Sequence, residues 1–164
     1  MNKLKLSFLI KEKTIDYFKK KPSIGNLPWG IVGNGVMADI SLIFSESSDQ
    51  NITFEDGVLE YLSFMCSVAD SFAKGNLSSF SVSTMDWFSN SFKYEYNGKD
   101  KVEIIGDTTC SVHAVVDYEN FKNEINYKSL FVIEYLLDAI PGLRYNKDLR
   151  KKFPFEWANK IKWK

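Results

Sequence analysis

Histidine and cysteine are scarce: the chain has one His and two Cys. A lone imidazole, His113, excludes a multi-histidine metal centre. Cys66 and Cys110 share no metal or redox spacing. Both sit among apolar neighbours and read as small buried hydrophobes, because a nucleophilic thiol wants a basic, partly exposed setting. No apolar run approaches the roughly 20 residues of a membrane-spanning helix. The apolar part of the N-terminus, residues 6–10, is too short for a signal peptide, and Lys11-Glu12-Lys13 stands where a small-residue cleavage site would be. The expectation is a first strand in a cytoplasmic protein that makes no membrane contact. Excess charge of one sign is also missing: 21 basic residues balance 21 acidic ones. With a pI near 6.6, the clusters Lys19-Lys20-Lys21 and Arg150-Lys151-Lys152 fall short of a nucleic-acid footprint, and no nucleic-acid partner is expected. There is no G-x-S-x-G elbow, and Asp49-Gln50-Asn51 lacks the further ligands of a calcium loop. No catalytic group, metal or cofactor is expected.

What the chain does have is apolar patterning. Its 164 residues suit a single domain, 1–164, with a sizeable core. Thirteen Phe, eight Tyr and four Trp favour a core containing sheet. Leu4, Leu6 and Phe8 alternate with Lys3, Lys5 and Ser7, the period of a half-buried strand. Ile15, Tyr17 and Phe18 read as a second short strand, and residues 22–28 as a loop. The stretch WGIVGNGVMAD, residues 29–39, packs in three glycines at the spacing G-x-x-G-x-G. A dinucleotide site needs G-x-G-x-x-G and a helix behind it. Here Ala38, Ile40, Leu42 and Phe44 follow at period two, a strand. Asn34-Gly35 therefore reads as a hairpin turn.

After a short strand at residues 51–53 the period changes. Val58, Leu62, Met65, Ala69 and Phe72 recur at spacings of three and four, which predicts a helix over about residues 55–74. Thr53 to Asp56 would cap it and Gly75 would stop it. Period two then returns in Phe80 and Val82, in Phe92, Tyr94 and Tyr96, beyond the loop Asn97-Gly98-Lys99-Asp100 in Val102 and Ile104, and in residues 110–116. A second long helix begins near Asp117 and ends at Pro141-Gly142, and residues 147–152 suit a short basic helix. The fold class is α+β: a mostly antiparallel sheet built from hairpins, packed by one central and one C-terminal helix.

Charge is uneven along the chain: net +5 over residues 1–38, −8 over 39–107 and +3 over 108–164. The acidic middle either presents a surface to a cationic partner or is mixed with the basic ends by folding. His113 falls on the strand face opposite Val112 and Ala114, where a sheet-surface histidine is the simpler reading than an acid–base group.

The order of elements is strands, a helix opening as Phe54-Glu55-Asp56-Gly57-Val58-Leu59-Glu60-Tyr61-Leu62, more strands including Phe92-Lys93-Tyr94-Glu95-Tyr96, then a helix containing Leu130 and Ile140. In this it resembles, over residues 1–150, the α+β immunity proteins of bacterial polymorphic-toxin and contact-dependent growth inhibition systems. The resemblance implies a non-enzymatic inhibitor that binds one cognate toxin domain 1:1 and blocks its active site or an essential surface. Toxin domains of this kind are often cationic nucleases, which an acidic surface would steer. The candidate contact residues are Asp49, Glu55, Asp56, Glu60, Asp86, Trp87 and Asp107. The alternatives are a non-catalytic adaptor or small-ligand module with a pocket between sheet and helices, and an enzyme using His113.

Overall fold

A computed structural model describes residues 2–83, 91–107 and 111–164. The elements run β1 (Leu4–Ile10), α1 (Glu12–Lys19), α2 (Trp29–Gly35), β2 (Met37–Phe44), β3 (Ile52–Gly57), α3 (Val58–Ala73), β4 (Ser79–Ser83), β5 (Ser91–Tyr96), β6 (Lys101–Gly106), β7 (His113–Asp117), α4 (Tyr118–Ala139) and α5 (Lys147–Lys152). The strands form two antiparallel sheets, one ordered β1-β2-β3 and one ordered β4-β5-β6-β7. The architecture is α+β, as the alternation of periods predicts. Among the described residues no helix is long and apolar enough to cross a membrane.

Each sheet has one apolar face. Leu6 pairs with Leu42 and Phe8 with Ile40, and Ile40 with Phe54, so one side of the first sheet is hydrophobic except for Asp56 opposite Ala38. In the second, Tyr94 stands between Phe80 and Ile104, with Ala114 beyond. Helix α3 packs against these faces and buries nine of its 16 residues, from Val58 to Phe72, with Phe64 and Ser67 turned outward. Two sets of rings tie the layers: Phe54 lies 5.6 Å from Tyr61 and 5.3 Å from Phe92, and Phe72 lies 5.4 Å from Tyr96. Such ring pairs stabilise by about 0.5–1.5 kcal/mol beyond the area they bury.

Helix ends follow local chemistry. Asp117 caps α4 by accepting the Asn120 N–H at 2.8 Å. Helix α3 ends in a Schellman turn, with Gly75 at φ +67°, Asn76 N–H on Ser71 O and Gly75 N–H on Phe72 O. The N-terminal end of α3 differs from expectation: Thr53 to Asp56 belong to β3, and Gly57 caps the helix. The pairing of Asp39 with Glu55 and Ala38 with Asp56 keeps these residues extended.

Two short segments correct the sequence reading. Ile15 and Phe18 lie on α1, not on a strand; three apart, they share a helix face and are both buried. The glycine-rich stretch is helix α2, not a hairpin turn. Its glycines serve close packing. A Cβ on Gly33 would stand 2.7 Å from the Trp29 ring and 2.9 Å from Glu60 Oε2. A Cβ on Gly57, across the contact, would stand 2.7 Å from Asn34 Cα. The α2 backbone therefore lies directly on the β3–α3 junction. That leaves no cradle for a phosphate, and a helix of seven residues offers little N-terminal field.

Candidate functional site

The apolar faces point inward, so the opposite face of each sheet is left to solvent. On the four-stranded sheet this outer face carries Ser79, Ser81 and Ser83 from β4, Lys93 and Glu95 from β5, Lys101, Glu103 and Ile105 from β6, and His113 and Val115 from β7. The β6–β7 register sets Ile105 opposite His113, so Glu103 is the diagonal neighbour of the imidazole. The Glu103 carboxylate pairs with His113 Nε2, with the His side chain 67% exposed. This contact holds the imidazole against the sheet surface. Among the described residues nothing apolar encloses it, as proton transfer to a bound substrate would require.

The end of the sheet at His113 gathers further polar groups. Gln50 Oε1 accepts the His113 N–H at 2.7 Å, which brings the exposed turn Ser48–Gln50, with Asp49, beside β7. Asp107 follows β6 at the same end and accepts the Ser91 N–H at 2.9 Å. Asp49 and Asp107 thus border one open face, together with Glu95 and Glu103, against Lys93 and Lys101.

The other candidates lie elsewhere. Glu55 is on the outer face of the three-stranded sheet, 3.4 Å from Lys11 Nζ, and Asp39 is 2.6 Å from the same ammonium. The hydrogen bond to Asp39 is the main cause holding the Lys11 pKa above its ordinary value. Here the basic N-terminal block neutralises part of the acidic middle. Glu60 is half-buried under Gly33. Asp56 is a correction to the contact set: it is 5% exposed and turned into the core. Its Oδ1 accepts the Gly57 N–H at 2.7 Å, and its charge joins burial and the nearby Tyr94 hydroxyl in pushing the Tyr61 hydroxyl well up, burial being the largest cause. Asp86 and Trp87 lie outside the described residues, as does Cys110.

Cys66 is buried as expected. Its Sγ is 3.1 Å from Ser129 Oγ, and burial pushes the thiol up to about 12, partly offset by the Ser129 hydrogen bond. It is a neutral packing group. Among the described residues no three His, Cys, Asp or Glu side chains gather as a metal site. A cleft of about 830 Å³ opens between α3, α4 and the C-terminal segment rather than between sheet and helices. Lys74, Lys122, Asn126 and Lys160 line it, with Phe155 and Trp157 stacked at 5.9 Å.

Glu103, His113 and Gln50 were not among the contact residues expected from the sequence. The signal that unites them is the β6–β7 register and the reach of a turn 63 residues away. Neither is written in local spacing.

Comparison with protein-family models, curated proteins and solved structures gives no match.

Proposed function

We propose that this chain is an immunity protein that binds and neutralises a cognate toxin domain. The toxin half of the reading rests on the resemblance in element order. The binding half is carried by the open outer face of the four-stranded sheet, where Asp49, Glu95, Glu103 and Asp107 outnumber Lys93 and Lys101. An acidic, solvent-facing sheet suits a cationic partner by steering its encounter. Slow release then comes from the apolar members of the face, Ile105 and Val115, the latter 38% exposed.

The test is recovery of partners from the source cell with tagged protein. The expected result is one polypeptide whose C-terminal domain is toxic alone and harmless when co-expressed with this chain. Charge reversal by Asp49→Lys with Glu103→Lys is expected to slow association at least tenfold at low salt and much less at high salt. A toxin partner whose binding ignores both changes would move the contact off this face.

A second reading, a small-ligand module, is favoured by the cleft beside Phe155 and Trp157. Native mass spectrometry of the purified protein checks it: a retained small molecule, lost with Trp157→Ala, would replace the immunity reading.

A further inference from the structure

Helix α4 turns one face away from the core. At its N-terminal end that face is used inside the molecule: Asn120 and Glu124 reach the edge of β1. Further along, the same face carries Tyr127, Phe131 and Tyr135, spaced by four residues, so they form one stripe. They are 62%, 60% and 46% exposed. Three adjacent bare aromatics on one helix are unlike a solvated face and mark a contact surface.

The stripe is symmetric in kind about its middle residue. Residues 127–135 read Tyr-Lys-Ser-Leu-Phe-Val-Ile-Glu-Tyr. Counting outward from Phe131, Lys128 is matched by Glu134 and Tyr127 by Tyr135. We propose that a second copy of this chain docks here, α4 against α4, antiparallel about a two-fold axis through Phe131. That axis sets residue 131 plus n of one copy level with 131 minus n of the other. Tyr127 then meets Tyr135, Phe131 meets Phe131, and Lys128 lies level with Glu134, twice over. A parallel pair would set lysine against lysine and glutamate against glutamate, so charge selects the antiparallel arrangement. Self-complementarity of one patch is what an isologous dimer requires. The next level out sets Glu124 against Asp138, but Arg144 at 2.6 Å supplies Asp138 with its counter-charge, so Glu124, held on the Leu6 N–H at 2.8 Å, meets an ion pair rather than a lone carboxylate. A net charge of zero adds no repulsion between whole chains. The dimer uses a different surface from the sheet face proposed for the toxin and does not depend on that reading.

Sedimentation velocity on the free protein, up to roughly 100 μM, tests it. The wild type is expected to dimerise with concentration. Phe131→Arg, at a position already exposed, is expected to raise the dimer dissociation constant at least about tenfold with an unchanged melting temperature. Lys128→Glu is expected to weaken the dimer, and Lys128→Glu with Glu134→Lys to restore it. A monomeric wild type, or a dimer indifferent to Phe131→Arg, overturns the proposal. If Phe131→Arg fails to fold, the reciprocal charge swap decides alone. A monomer whose Phe131→Arg variant loses toxin protection also overturns it, and assigns the stripe to the toxin.

Discussion

The four-stranded sheet is strung together within one stretch of chain, with Gln50 on the His113 N–H and an Asn2–Val116 bridge as its ties to distant residues, whereas the edge of the three-stranded sheet is finished by residues far along the chain. In both, every strand pairs with its neighbour in sequence, but in the first the longest link between strands is the seven residues 84–90. The β5–β6 turn is held chiefly by Asn97, whose Oδ1 accepts the N–H groups of Lys99, Asp100 and Lys101 at 3.0 Å each, while the Tyr96 hydroxyl donates to the Lys99 carbonyl at 2.8 Å. In the second, two helices intervene between β1 and β2. The outward N–H groups of Leu4 and Leu6 are taken by Asn120 Oδ1 at 2.7 Å and Glu124 Oε1 at 2.8 Å. An open strand edge is a template for unwanted pairing, and α4 blunts it with side chains. The strand pairing of one sheet is therefore set mainly by short links, while the other is completed by residues more than a hundred positions away.

The strongest way to break the three-stranded sheet is through its close approach to α2. Gly57→Ala places a methyl against the backbone of Asn34 and the Gly33 carbonyl, which cannot swing aside as a side chain can. A loss of about 3 kcal/mol is expected in urea unfolding, at the upper end for overpacking. Asn120→Ala leaves the Leu4 N–H without its acceptor and is expected to cost about 2 kcal/mol. Glu124→Gln keeps an acceptor for Leu6 and should cost far less, so a large loss there would place the effect in charge rather than edge capping.

The Cys66–Ser129 contact, which joins α3 to α4, gives a pH signature. The thiol ionises near 9.0 when unfolded and at about 12 when folded, so the folded state holds more protons between those values. Its contribution is complete below pH 9 and is lost as pH rises toward 12. The expected slope is up to about 1.4 kcal/mol per pH unit, and Cys66→Ala should flatten it in unfolding measured from pH 8 to 11. Asn97→Ala, confined to one hairpin, is expected to cost about 1 kcal/mol. Faster amide exchange should then appear in β5 and β6 and not in the three-stranded sheet. The smallest change has the opposite sign. A Cβ on Gly30 meets nothing within 4 Å, so Gly30→Ala should raise stability by about 0.5 kcal/mol through helix propensity.

Legibility in the sequence divides along the same line. The α+β class, α3, α4 and the β5–β6 hairpin can be read from it, because each is specified by periodicity or by turn residues within a few positions. Helix α1 is hidden because Ile15 and Phe18 are too few to declare a period. Helix α2 is hidden because Gly33 and Gly35 suggest a turn, while the need for them arises from Glu60 and Phe18, which only the fold brings near. The charge blocks mislead in part for the same reason, since Lys11 neutralises Asp39 and Glu55 across the sheet. Of the contact residues, Asp49 and Asp107 converge only through Gln50 and the β6–β7 register, and the burial of Asp56 follows from its pairing with Ala38.

The capping of β1 by α4 also imposes a timetable. Leu6 is made 118 residues before its partner Glu124, which at cellular synthesis rates is an interval of roughly 6–24 s. Within it the first strand can pair with β2, and β2 with β3, while the outer edge of β1 stays bare. Lys3 and Lys5 flank that edge, and their charge discourages a second nascent chain from pairing there until α4 arrives.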